Sequence, residues 1–199
     1  MNPPSPRRST PALQSLPPQI YAGIGEVIFR FTVLEGQLRD LVYILAGLDR
    51  QIGRLVVRDT NVPELWKLSK ELMNIRQIKI AAVDRIDHKD LISVTAFRNR
   101  MAHSKWGADA QTRLTYAELK GSWQPDGDGV KYTRSARPEG RYLSRDEIPN
   151  SVALIHQLEM AVDAVAAETL AALGKTPADL RPADAPFAPH SGPVDQTPG

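Results

Sequence analysis

Cysteine is absent from the 199 residues. That excludes a disulfide scaffold, a thiolate nucleophile, a Cys-based zinc site and an iron–sulfur cluster. Apolar runs are short: each is broken well before the roughly 18 residues a spanning helix needs, so no transmembrane helix is expected. Met1 to Pro18 carries two Arg but no apolar stretch of the kind a secretory signal uses. His-Glu-x-x-His, a Gly-rich phosphate loop and Gly-x-Ser-x-Gly are all missing, which argues against metalloprotease, P-loop NTPase and α/β-hydrolase chemistry. Charge of one sign is also lacking overall, with 25 Lys+Arg against 23 Asp+Glu and a formal net charge of +2. With 42% apolar residues, the composition fits one globular domain. The expected location is the cytoplasm.

Proline is present in quantity but is unevenly placed. Of the 16 prolines, six lie in Met1–Pro18 and six in Thr176–Gly199. Proline donates no backbone hydrogen bond and disfavours helix at the residue before it. Residues 1–18 and 175–199 are therefore expected to be disordered tails around a folded body at 19–174.

Within the body the apolar residues recur at helical spacing. Ile20, Ile24, Val27, Ile28, Phe31, Leu34, Leu38, Leu41, Val42 and Leu45 form one face of a long helix ending near Gly47. Gly23, Gly25 and Gly36 weaken its intrinsic propensity and suit the close approach of a neighbouring helix. A short helix is expected over Arg50 to Arg58. Asn61 then caps another, with Pro63 in its first turn, Glu64 three residues after the cap, and Leu65, Leu68, Leu72 and Ile75 as its stripe. A further helix is expected from about Asp84 to His103, with Leu91, Val94, Phe97 and Met101 facing the core.

The period then changes. Arg113–Trp123 and Val130–Thr133 read as short strands around the turn cluster Pro125–Gly129, predicting a β-hairpin near 113–133. Ser144-Arg145-Asp146-Glu147 has the form of a capping box. It opens a last helix whose stripe is Ile148, Val152, Ile155, Leu158, Val162, Val165 and Leu173. The fold class expected is mainly α, an antiparallel helical bundle with an inserted hairpin.

Chemistry concentrates in Phe97-Arg98-Asn99-Arg100-Met101-Ala102-His103. On a helix Arg98 and His103 are about 140° and about 7.5 Å apart, whereas Asn99 and His103 share a face. An Arg that pairs with phosphate, an amide that orients it and a His that titrates near neutral pH form a set suited to phosphodiester cleavage.

Arg98-Asn99-x-x-x-His103, late in a helix of an all-α bundle, resembles the Arg-x4–6-His motif of HEPN domains (higher eukaryotes and prokaryotes nucleotide-binding). Phe31-x-x-Leu34-Glu35-x-x-Leu38 in the first helix and Ala102-His103-Ser104-x-Trp106 after the motif are similar to uncharacterised bacterial proteins of this kind. The resemblance covers roughly Ile20 to Leu173; the hairpin is less typical, and the tails find no counterpart. It implies a homodimer and metal-independent endoribonuclease activity without a cofactor. Arg98, Asn99 and His103 are then the catalytic group, in a cleft that both protomers complete. It also implies a toxin or defence effector, with an antitoxin or a nucleotidyltransferase as partner. Members of the family also serve as non-catalytic dimerisation or partner-binding modules, and that reading stands beside the first. In it the Arg–Asn–His group caps carbonyls and complements the helix dipole.

Glu35 lies beside the Leu34/Leu38 stripe, where an acid usually has a partner. Either it holds Arg98 or it is a rim acid paired with any nearby Lys or Arg, or with none. Arg98 to Arg145 carries ten Lys/Arg and five acids, a net +5 that leaves −3 for the rest of the chain. Arg100 and Lys105 in this segment are candidate RNA contacts, with Tyr116, Trp123, Tyr132 and Tyr142 available for stacking. Strand charges that guard sheet edges explain the same pattern. His88, His156 and His190 are given no role.

Overall fold

The computed structural model describes residues 16–108, 114–126, 129–136, 141–144 and 146–176, with side chains left out at 105 and 107–142. The tail expectations for 1–15 and 177–199 lie outside the described residues. The body is mainly helical. Its helices are α1 (Pro18–Ala46), α2 (Arg50–Val56), α3 (Val62–Ile75), α4 (His88–His103) and α5 (Glu147–Ala172).

Helix α1 is the centre of the bundle and packs against α3, α4 and α5. Leu34, Leu38, Leu41 and Leu45 are fully buried along it, and Val27, Phe31 and Val42 nearly so. It stops where Gly47 takes a left-handed φ of 69°, with Leu48 N–H donating to the Tyr43 carbonyl at 3.0 Å. That conformation costs glycine little and closes the helix. The start lies earlier than the tail boundary expected: Pro18 is already helical, and Leu16 is buried.

Two N-caps fix the short connections. Asp49 accepts from Gln51 and Ile52 N–H to open α2. Asn61 accepts from Glu64 N–H at 3.1 Å to open α3, as its spacing to Pro63 and Glu64 predicts. The buried face of α3 is wider than the stripe read from sequence. Leu65, Trp66, Ser69 and Met73 are buried, Leu68 and Leu72 are partly so, and Ile75 is 76% exposed. This helix packs against both α1 and α4, so its inward arc includes Trp66.

Helix α4 begins later than the expected Asp84. Residues Ala81–Arg85 form a separate 3₁₀ turn, Ile86 is extended, and Asp87 caps α4 by accepting from Lys89 N–H at 2.9 Å. Leu91, Val94, Phe97 and Met101 are all buried, as their spacing predicts. Helix α5 also differs at its start. Asp146 is the N-cap and makes no side-chain cap, while Ser144 Oγ accepts from Asp146 N–H at 3.4 Å, so the capping box is not formed.

Between α4 and α5 run β1 (Ser104–Ala108), β2 (Leu114–Asp126), β3 (Gly129–Ala136) and β4 (Arg141–Tyr142). All pairing is antiparallel through β2. Its first half meets β1 from Ser104↔Glu118 to Ala108↔Leu114, and meets β4 at Thr115↔Tyr142 and Tyr116↔Arg141. Its second half meets β3 from Leu119↔Ala136 to Asp126↔Gly129. Trp106 Nε1 donates to the Met101 carbonyl at 3.1 Å, tying β1 to the end of α4.

Candidate functional site

The buried residues of α4 set the aim of Arg98. Phe97 and Met101 face the core, so Arg98 is turned to the side of the helix, towards α1. Its guanidinium stacks over the Phe31 ring at 5.5 Å, and Nη1 donates to Asn99 Oδ1 at 3.1 Å. Among the described residues it has no carboxylate within ion-pair distance, and its Nε is buried without a hydrogen-bond partner.

Arg98 and Asn99 line a cleft of about 290 Å³. Phe31, Glu35 and Arg39 of α1 form one wall. Residues 58–62, the turn from α2 into α3, form a second, and Thr95, Arg98 and Asn99 of α4 form the third. Asn61 and Val62 stand at the N-terminus of α3, so the positive end of that helix borders the cleft.

Glu35 is on this cleft but does not hold Arg98. Its Oε1 accepts from Arg39 Nη2 at 2.8 Å, one helical turn away. The same Arg39 nitrogen lies 3.5 Å from the Arg58 carbonyl, linking α1 to the α2–α3 turn.

His103 is the last residue of α4 and is exposed. It does not line the cleft with Arg98, and its ring makes no hydrogen bond among the described residues. Arg100 is committed elsewhere: it stacks over Phe97 at 5.5 Å and lies 3.6 Å from Glu147 of α5. The side chains of Lys105, Tyr116, Trp123, Tyr132 and Tyr142 lie outside those described. A single chain thus brings together Arg98, Asn99 and Glu35 and leaves His103 apart.

Several cleft residues were not singled out from sequence. Arg39 had a signal, since Glu35 to Arg39 is a four-residue helical pair. Arg58 and Asn61 reach the site only because α2 is short and turns back on α1.

A second polar cluster joins α1 to α5. Glu159, only 7% exposed, accepts from Arg30 Nη1 at 3.2 Å and lies 3.3 Å from His156 Nδ1. Arg30 Nη1 is also 3.4 Å from His156 Nδ1, and its Nε donates to Glu26 at 3.0 Å. The Glu26 hydrogen bond, more than any other partner, raises the Arg30 pKa. Nearby, Gln37 donates to Asp163 at 2.7 Å, yet loss of solvent is the larger effect and raises the Asp163 pKa. His156, given no role from sequence, is a member of this cluster.

Among the described residues no group of three or more His, Asp or Glu is arranged to hold a metal ion, and no helix is long and apolar enough to cross a membrane. Compared with known proteins, the chain matches no family model, no curated protein and no solved structure.

Proposed function

We propose that this protein is a metal-independent endoribonuclease of HEPN type, a homodimer whose helical bundle carries an inserted hairpin, acting as a toxin or defence effector. The observation that carries the reading is Arg98. It is a partly buried cation with no carboxylate partner, aimed at a polar cleft, five residues before an exposed histidine at the end of the same helix. Arg98 stabilises the charge that develops on the phosphoryl oxygens, and Asn99 holds its guanidinium. Imidazole at His103 exchanges a proton with the attacking 2′-hydroxyl or the leaving 5′-oxygen.

The separation of His103 from the Arg98 cleft supports a composite site that the two protomers form together. The exposed face of α1 offers a place for the two-fold contact. Phe29 is 69% exposed and Val33 39%, and both stand between Gly25 and Gly36, where an added Cβ would meet no other group within 4 Å. An antitoxin or a nucleotidyltransferase is the partner this reading implies.

The second reading is a non-catalytic HEPN-like dimerisation or partner-binding module. It is favoured by the same separation, since among the described residues His103 has no hydrogen bond to fix its tautomer. Purified dimer incubated with a mixed cellular RNA pool separates the two. As an endoribonuclease it cleaves, and His103→Ala lowers the rate about 10²–10⁴-fold without unfolding the protein. EDTA leaves the rate unchanged. Equal cleavage by wild type and His103→Ala removes the catalytic reading, and cleavage by neither favours the module.

A further inference from the structure

We infer that the cleft between α1, the α2–α3 turn and α4 is a phosphate-binding site in which Arg58 is a principal ligand beside Arg98. The inference rests on the reading of Arg98 as a phosphate-binding residue and extends the site to elements that the Arg–Asn–His motif does not include.

Two amides that line the cleft are committed as acceptors and open as donors. Glu35 is occupied by Arg39. Asn61 Oδ1 is taken by the Glu64 N–H and Asn99 Oδ1 by Arg98, so both amides are left with their N–H groups to offer. Arg58 is exposed and, like Arg98, has no carboxylate within ion-pair distance among the described residues. The exposed Arg58 is solvated, but Arg98 is partly buried with an unpartnered Nε, and a desolvated cation is costly unless a ligand supplies the charge.

Arg39, Arg58 and Arg98 against Glu35 and Asp59 give the cleft a net charge of +1. Asp59 is exposed, has no ion-pair partner among the described residues and works against an anion. The ligand that fits unpaired guanidinium forks and amide N–H groups is a tetrahedral phosphate, which accepts from several donors at once and pairs with Arg in two-point fashion. Sources of that chemistry are a free phosphate ion and a phosphodiester within an RNA chain.

The test is titration calorimetry of the full-length protein at low salt, with inorganic phosphate in one arm and hexauridylate lacking terminal phosphates in the other. Wild type is compared with Arg58→Ala, Arg58→Lys and Asp59→Asn, and thermal melts confirm that each variant folds. Arg58→Ala is expected to weaken binding on the order of ten- to a hundredfold, the loss of a charge-assisted pair. Arg58→Lys recovers part of it, since charge is kept and the planar fork is lost. Asp59→Asn tightens binding. Hexauridylate bound and weakened by Arg58→Ala identifies a chain phosphodiester as ligand; inorganic phosphate bound without hexauridylate identifies the free ion.

No binding of either probe at about 10 mM, or Arg58→Ala binding as tightly as wild type, overturns the inference. These results are separable from the ribonuclease reading. If RNA is cleaved, His103→Ala is inactive and Arg58→Ala binds and cleaves as wild type, the cleft inference fails alone. If the cleft binds phosphate through Arg58 and no RNA is cleaved, the ribonuclease reading fails alone.

Discussion

Three glycines in α1 give a test in which the sign of the effect depends on what each one faces. An ideal Cβ on Gly23 falls 2.8 Å from Ile148 Cγ2 of α5, while at Gly25 and Gly36 it meets nothing within 4 Å. All three lie inside the helix, so replacement by Ala brings the same propensity gain of about 0.5–1 kcal/mol at each. At Gly25 and Gly36 that gain is the whole effect in the isolated chain. At Gly23 an overpacking cost of about 1–3 kcal/mol is added. Ile148 cannot relieve it simply, because Cγ2 sits on a branched carbon with a stiff χ1, and the residue is 7% exposed.

The difference between Gly23→Ala and Gly25→Ala therefore isolates the packing term at about 2 kcal/mol, or about 4–8 °C in Tm for a domain of this size. Thermal melts followed by circular dichroism read it directly, checked by urea titration with a common slope. Combining Gly23→Ala with Ile148→Ala should make the double variant more stable than the sum of the single losses by about 1 kcal/mol, because the clashing methyl is gone. If Gly23→Ala raises Tm as much as Gly25→Ala and Gly36→Ala do, the close approach of α1 and α5 at Gly23 is wrong. Melts over a range of protein concentrations matter here. If the Gly25–Gly36 face is a two-fold interface, its Ala variants lose stability at high concentration relative to low.

Three other outcomes are expected. Phe29→Asp with Val33→Asp should turn a dimer into a monomer in sedimentation velocity at micromolar concentration, with little change in monomer fold, since both side chains are exposed; a wild type that is already monomeric counts against the composite cleft. Gln77 holds a φ of 56° just after α3, so Gln77→Gly should stabilise by about 1 kcal/mol in urea unfolding, and a loss would mean that its side chain contributes more than the strain costs. Asp163→Asn keeps an acceptor for Gln37 and removes a carboxylate whose pKa is raised in the fold. The raised value means that wild type is favoured while Asp163 is protonated and loses that advantage as pH rises through the raised pKa. Stability of Asp163→Asn relative to wild type should therefore increase across that acidic window and stay level above it; a flat difference from acid to neutral pH counts against the shift.

What the sequence makes legible is whatever one helix decides alone. Leu91, Val94, Phe97 and Met101 name the buried face of α4, and with it the sideways aim of Arg98, because the spacing and the core agree. Asn61, Pro63 and Glu64 name the start of α3 for the same local reason. The failures come where a neighbour decides. Asp84 looks as good a helix start as Asp87, and only the extended Ile86, buried at 6% exposure, puts the break between them. Trp66 falls off the Leu65–Leu72 stripe, yet it is buried because α3 has helices on two sides.

The site divides along the same line. Arg98 and Asn99 are adjacent in sequence, and their hydrogen bond is local. Glu35 with Arg39 is also local, and that is why it prevails over Glu35 with Arg98: an acid one turn from an arginine on its own helix is satisfied without waiting for the bundle to close. Once Glu35 is taken, Arg98 reaches the folded state with Phe31 and Asn99 but no counter-charge. Arg58, expected as the end of a short helix and found two residues beyond α2, lines the same cleft and has no carboxylate within ion-pair distance among the described residues. Among the described residues Arg30 is paired with Glu26 and Glu159, Arg50 with Asp40, and Arg100 with Glu147, whereas Arg58 and Arg98, both at this cleft, have no carboxylate within ion-pair distance. A face evenly dressed in ion pairs has little attraction for an anion, whereas a cleft with a net positive charge and a partly buried guanidinium that lacks a carboxylate attracts one.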